Sequence, residues 1–175
     1  ILTGMFAVLA VIYSLTLTNL YTSKALLVPT SLNSNSTSQY SALASVAGVN
    51  LDDSSPDVTL AIAFINSKKI IHRLKKHESF LPDLMAAKKW HITSNSIIYD
   101  DDLYDEKNKK WIREVDFPFQ QVPSEQEAFE LFSKQINISE DKKNQLVTLS
   151  VEHISPSVAR QWAEWIIDEA NTMVA

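Results

Sequence analysis

An α+β fold headed by a transmembrane helix is what the sequence predicts, and three observations predict it. No charged side chain occurs before Lys24, and residues 1–17 are almost wholly apolar. Beyond them, apolar residues recur at helical spacing behind recognisable capping residues. Between these segments lie short stretches rich in β-branched and aromatic residues, one of them alternating strictly, which read as strands.

At about 1.5 Å per residue, residues 1–17 cover roughly 26 Å, just short of the roughly 30 Å hydrocarbon layer. Residues 18–20, or residues upstream of Ile1, close the gap and give a transmembrane helix over 1–20. It is a partial one, because the chain does not open on Met and a short cytoplasmic tail is expected upstream. A cleaved secretion signal and a buried core helix compete with this anchor. Thr18-Asn19-Leu20-Tyr21 makes a poor cleavage site, whereas Tyr13 and Tyr21 suit a membrane interface. The absence of cysteine fits a periplasmic domain, although many cytosolic chains share it. Residues 21–175 are enough for one domain with a real core.

Within that domain, residues 21–29 hold Leu26, Leu27 and Val28 and end at Pro29, as a strand would. The Ser/Asn/Thr-rich stretch 30–38 reads as a loop. Tyr40, Leu43, Ala44 and Ala47 then stand at i, i+3, i+4 and i+7 of a short helix over 39–47, with Gly48 as its stop. Ser54-Ser55-Pro56-Asp57 opens a helix over 56–66. Ser67 caps another, with Ile70, Ile71 and Leu74 inward and Lys68, Lys69, Arg73, Lys75 and Lys76 outward. A helical turn or two follows at 82–87, then a strand within 90–99 carrying Ile92, Ile97, Ile98 and Tyr99, then a charged turn over 100–110.

Pro123-Ser124-Glu125-Gln126-Glu127 is a capping box that starts a helix to about Gln135, burying Ala128, Leu131 and Phe132. Residues 145–151 alternate Leu146, Thr148 and Ser150 with Val147, Leu149 and Val151, the two-residue period of a half-buried strand. Ser155-Pro156 opens the last helix, whose stripe is Val158, Ala159, Trp162, Trp165, Ile166, Ala170 and Met173.

Residues with chemical potential are few. A net charge of −5 and a pI near 5.3 argue against a nucleic-acid partner. The one basic patch, 68–76, reads as a solvated face, or else as a site of attraction to anionic lipid headgroups or an acidic glycan, each exposed Lys being worth about 1 kcal/mol near a charged surface. Two glycines cannot build G-x-G-x-x-G or a P-loop, and neither G-x-S-x-G nor H-E-x-x-H occurs. Asp100, Asp101, Asp102 and Asp105 invite a calcium reading, but Asp105 and Trp111 stand where an EF-hand needs Gly and an acid, so a solvated turn is expected.

His72, His77, His91 and His153 are scattered and read as surface or supporting residues. Glu164 and Asp168, one turn apart, read as the wet side of the last helix. The sequons Asn35-Ser36-Thr37 and Asn137-Ile138-Ser139 matter only in a eukaryotic secreted protein. No catalytic, cofactor-binding or metal-binding residue is therefore assigned.

Several fragments occur in a telling order: Tyr21-Thr-Ser-Lys-Ala-Leu-Leu-Val-Pro29, Leu43-Ala-Ser-Val-Ala-Gly48-Val, Ala61-x-x-x-Ile65-x-Ser67, Leu84-Met-Ala-Ala-Lys-Lys-Trp90, and Ser155-Pro156-x-x-Ala159-x-x-Trp162 before Asn171. Together they resemble the Wzz-type polysaccharide chain-length determinants, or polysaccharide co-polymerases. The resemblance implies an inner-membrane protein whose periplasmic base domain, a small mixed β-sheet packed with helices, spans 21–175. It implies a long helix and a second transmembrane helix beyond Ala175. It also implies a non-enzymatic role without cofactors: homo-oligomers that set the length of O-antigen, capsule or exopolysaccharide beside a Wzy-type polymerase and its lipid-linked glycan. Three other roles stay open: the membrane partner of a tyrosine autokinase in polysaccharide export, a periplasmic sensor domain and a tethered envelope hydrolase.

Overall fold

Alternation along β7 (Leu146–His153) dictates where the core lies. Val147, Leu149, Val151 and His153 are buried on one face, while Leu146, Thr148, Ser150 and Glu152 occupy the other. β1 (Tyr21–Leu27) lines one side of β7, with Tyr21 opposite His153 and Leu27 opposite Val147. β6 (Ile136–Asp141) lines the other, with Ile136 opposite Val151 and Asp141 opposite Leu146. The sheet order is β1-β7-β6. The computed structural model describes residues 5–6, 11, 13, 19–27, 56–141 and 146–174.

Five helices have their bounds among these residues. α1 (Pro56–Ile65) and α2 (Lys68–Leu74) are joined by Asn66 and Ser67, α3 (Phe80–Met85) follows, and α4 (Glu125–Gln135) and α5 (Pro156–Val174) flank the β6–β7 hairpin. α5 lies against β1, β7 and α1. Its stripe places Trp162 at the centre of the core, with ring centroids 5.1 Å from Phe80, 5.1 Å from His153 and 6.3 Å from Phe132. Between α3 and α4 run two hairpins, β2 (Ala87–His91) with β3 (Ser96–Tyr99) and β4 (Tyr104–Asp105) with β5 (Lys110–Trp111). They enclose a small second core of Ala86, Tyr104 and Trp111.

Four expectations need correction. The transmembrane helix over 1–20 does not hold: among the described residues no helix is long and apolar enough to cross a membrane. Met5, Phe6, Val11 and Tyr13 are helical and exposed, but Asn19 and Leu20 are not helical and Tyr21 already belongs to β1. The sheet is not mixed, since every described pairing is antiparallel. A short hairpin connection between β6 and β7 permits no other direction, because parallel neighbours need a long crossover.

The strand expected within 90–99 is instead the β2–β3 hairpin, reversed at Asn95 (φ 48°). Asn tolerates this left-handed conformation, and its Oδ1 accepts from Trp90 Nε1 at 3.0 Å and from Ser157 Oγ at 3.0 Å. Ser67 does precede α2, but its hydroxyl donates backwards to the Phe64 carbonyl at 2.7 Å and caps nothing. The helix over 39–47, Gly48 and the Asn35 sequon lie outside the described residues.

Candidate functional site

The segment joining β5 to α4, residues 112–124, is organised by one guanidinium. Arg113 Nη2 donates to the Gln120 carbonyl at 2.6 Å and Nε to the Gln121 carbonyl at 3.0 Å, so the start of the loop grips its own far end. Nη1 reaches Glu127 at 2.7 Å. Glu127 is the N3 residue of the α4 capping box; its other oxygen accepts from the Ser124 N–H and hydroxyl, each at 2.9 Å. The Arg113 hydrogen bond, with those from Ser124, holds the Glu127 carboxyl down to about 2. Loop start, loop end and helix start are thereby tied to one point.

What this clamp displays is apolar. Phe117 is 97 % exposed, Phe119 55 % and Val122 56 %, and Val115 is exposed beside them. Single exposed apolar residues are ordinary, but a run of them on a fixed loop marks a contact surface. Glu114 and Asp116 are exposed between them and make no ion pair among the described residues.

The basic patch 68–76 is divided by the fold. Lys76 and Arg73 (3.9 Å) both pair with Glu169, a nearly buried carboxylate on α5. Lys75 and His72 reach Glu125 on α4 at 3.4 and 3.2 Å. These pairs tie α2 to α5 and α4. Lys68 and Lys69 stay exposed and make no ion pair among the described residues. Beside them α1 is uncharged from Val58 to Ile65; it buries Phe64 and Ile65 and turns Leu60 and Ala63 outward.

A buried polar network lies under α3. The His153 Nδ1 accepts from the Ser155 N–H at 3.0 Å and Nε2 faces the Asp83 carbonyl at 3.0 Å, which assigns the neutral Nε2–H tautomer. Burial lowers the His153 pKa. Burial raises that of Asp83, opposed by a 2.6 Å hydrogen bond from the Tyr99 hydroxyl, whose own pKa is raised by burial and by that carboxylate. Both ring nitrogens are committed to backbone groups, so this histidine locks β7, α3 and the start of α5 together.

A cleft of about 340 Å³ is lined by Glu78, Leu81, Pro82, Tyr104, Lys109 and Trp111. Its charged residues pair with each other at 2.8 Å, and both aromatic rings are nearly buried, so little of either faces the opening.

The remaining residues singled out in the sequence are dispersed. Asp100 accepts from the Asp102 N–H and pairs with Lys88, whereas Asp105 binds Asn108 in a separate turn. His77 stacks on Trp165 with centroids 3.8 Å apart, and His91 meets Ser94 at 3.1 Å. Glu164 pairs with Arg160 at 2.9 Å, while the Asp168 carbonyl accepts from Thr172. Asn137 lies on the exposed face of β6. The pinned loop was not singled out, although apolar residues at 115, 117 and 119, interrupted by Pro118, signal an alternation that no strand can use. No protein-family model and no curated protein matches the sequence, so the functional reading rests on its motif resemblance and on this surface.

Proposed function

We propose that the protein is a non-enzymatic regulator of polysaccharide chain length, working as a homo-oligomeric scaffold beside a Wzy-type polymerase and its lipid-linked glycan at the periplasmic side of a bacterial inner membrane. The pinned loop carries this reading. Its clamp fixes an apolar surface in advance of any encounter, which lowers the ordering cost of binding and suits holding a neighbour. The ordered motif fragments shared with the chain-length determinants supply the biological setting. Limiting how long a growing glycan stays engaged requires only that such scaffolds hold the polymerase in one arrangement. Deleting the gene should broaden the ladder of surface glycan lengths on a gel; an unchanged ladder refutes the proposal.

A further inference from the structure

The geometry points to a head-to-tail contact between copies of this chain, in which the loop around Phe117 docks on the α1–α2 face of a second copy. This inference rests on the self-association in the proposed function and names the surfaces that carry it. Charge complementarity selects the occupant. The loop offers apolar rings flanked by Glu114 and Asp116, both exposed and without an ion pair among the described residues. The α1–α2 face offers the reverse: Leu60, 41 % exposed, with Ala63 beside it on α1, and Lys68 and Lys69 at the start of α2, equally without ion pairs among the described residues.

The other cations of α2 are already taken by Glu169 and Glu125, which leaves these two lysines for an outside partner. Arg113 is in turn committed to its own loop and does not cancel the acidic side chains. An aromatic anchor entering an apolar face, ringed by opposite charges, is the usual build of a specific interface. Because the two surfaces differ, each docking leaves a free loop at one end and a free face at the other. Such a contact repeats into a ring or an open array.

The test uses the 175-residue chain, which has no cysteine of its own. A Phe117→Cys copy mixed with a Leu60→Cys copy should form a disulfide-linked heterodimer under mild oxidation, while neither copy crosslinks to itself. Lys68→Glu with Lys69→Glu, and separately Glu114→Lys with Asp116→Lys, should each lower the mass seen by analytical ultracentrifugation. All four reversals in one chain should restore it, with circular dichroism unchanged throughout. Absence of the heterodimer, self-crosslinking of either copy alone, or a fourfold variant no more associated than its halves overturns the contact. A Phe117→Ser strain separates the two readings. Lost association with an unchanged glycan ladder leaves the contact standing and removes the polysaccharide role, whereas unaltered association removes the contact whatever the ladder does.

Discussion

Replacing Glu127 by Gln removes one charge and keeps nearly everything else, because Gln also serves at the third position of a capping box. The wild-type carboxyl is held from 4.5 down to about 2 by Arg113 and Ser124. At about 1.4 kcal/mol per pKa unit, that depression corresponds to roughly 3 kcal/mol. Glu127 is 16 % exposed and Arg113 9 %, close enough to solvent that screening reduces the expected loss to about 1–2 kcal/mol. For a chain of this size the loss lowers the thermal midpoint by about 2–8 °C near neutral pH.

The pH dependence fixes the cause. A carboxyl whose folded pKa is depressed contributes its stability above the unfolded value, and loses it as pH falls from 4.5 towards about 2. Unfolding followed by circular dichroism should therefore show wild type and Glu127→Gln well separated at about pH 7 and converging near pH 2. A gap of equal size at both ends would refute the reasoning, since it would place the effect in cap geometry and not in the Arg113–Glu127 charge pair.

Three further outcomes follow from the core and the ion pairs. His153→Gln should cost about 2 kcal/mol by disturbing two buried hydrogen bonds. It should also flatten the acid side of the stability profile: the folded pKa lies below 6.5, so the wild-type contribution is complete above that value and declines as pH falls beneath it, read by urea midpoints across this range. Trp162→Ala should cost about 3–5 kcal/mol in the same assay. Trp162→Phe should cost less, because Trp162 Nε1 is buried without a partner and no hydrogen bond is lost. Around Glu169, changing Arg73 and Lys76 together to Met should destabilise by about 3 kcal/mol, leaving a buried carboxylate unpaired. Glu169→Gln should cost less, because the two half-exposed cations regain water.

Elements specified locally were legible in the sequence. The Ser124–Glu127 box, the stripe from Val158 to Ala170 and the alternation of β7 each carry their cause within a few residues, and each stands where expected. β6 was missed because it follows α4 with no glycine or proline between; Ile136 is both the helix cap and the first strand residue. The β2–β3 hairpin was missed because Asn95 takes a left-handed turn that its type permits without requiring.

Scattered in the sequence, His153 reads as a surface or supporting residue, yet it continues the buried parity of Val147, Leu149 and Val151, so its position is already written in that strand. The clamp at Arg113 depends on carbonyls seven and eight residues away and on a carboxylate fourteen away, and no periodic pattern reports such contacts.

The direct passage from Gln135 into Ile136 has a mechanical consequence. α4 begins at the clamp and ends inside the outer strand of the sheet, with no slack between the two. A push on the aromatic tip is delivered along a rod of about 16 Å to the rim of β6 instead of being absorbed by a hinge.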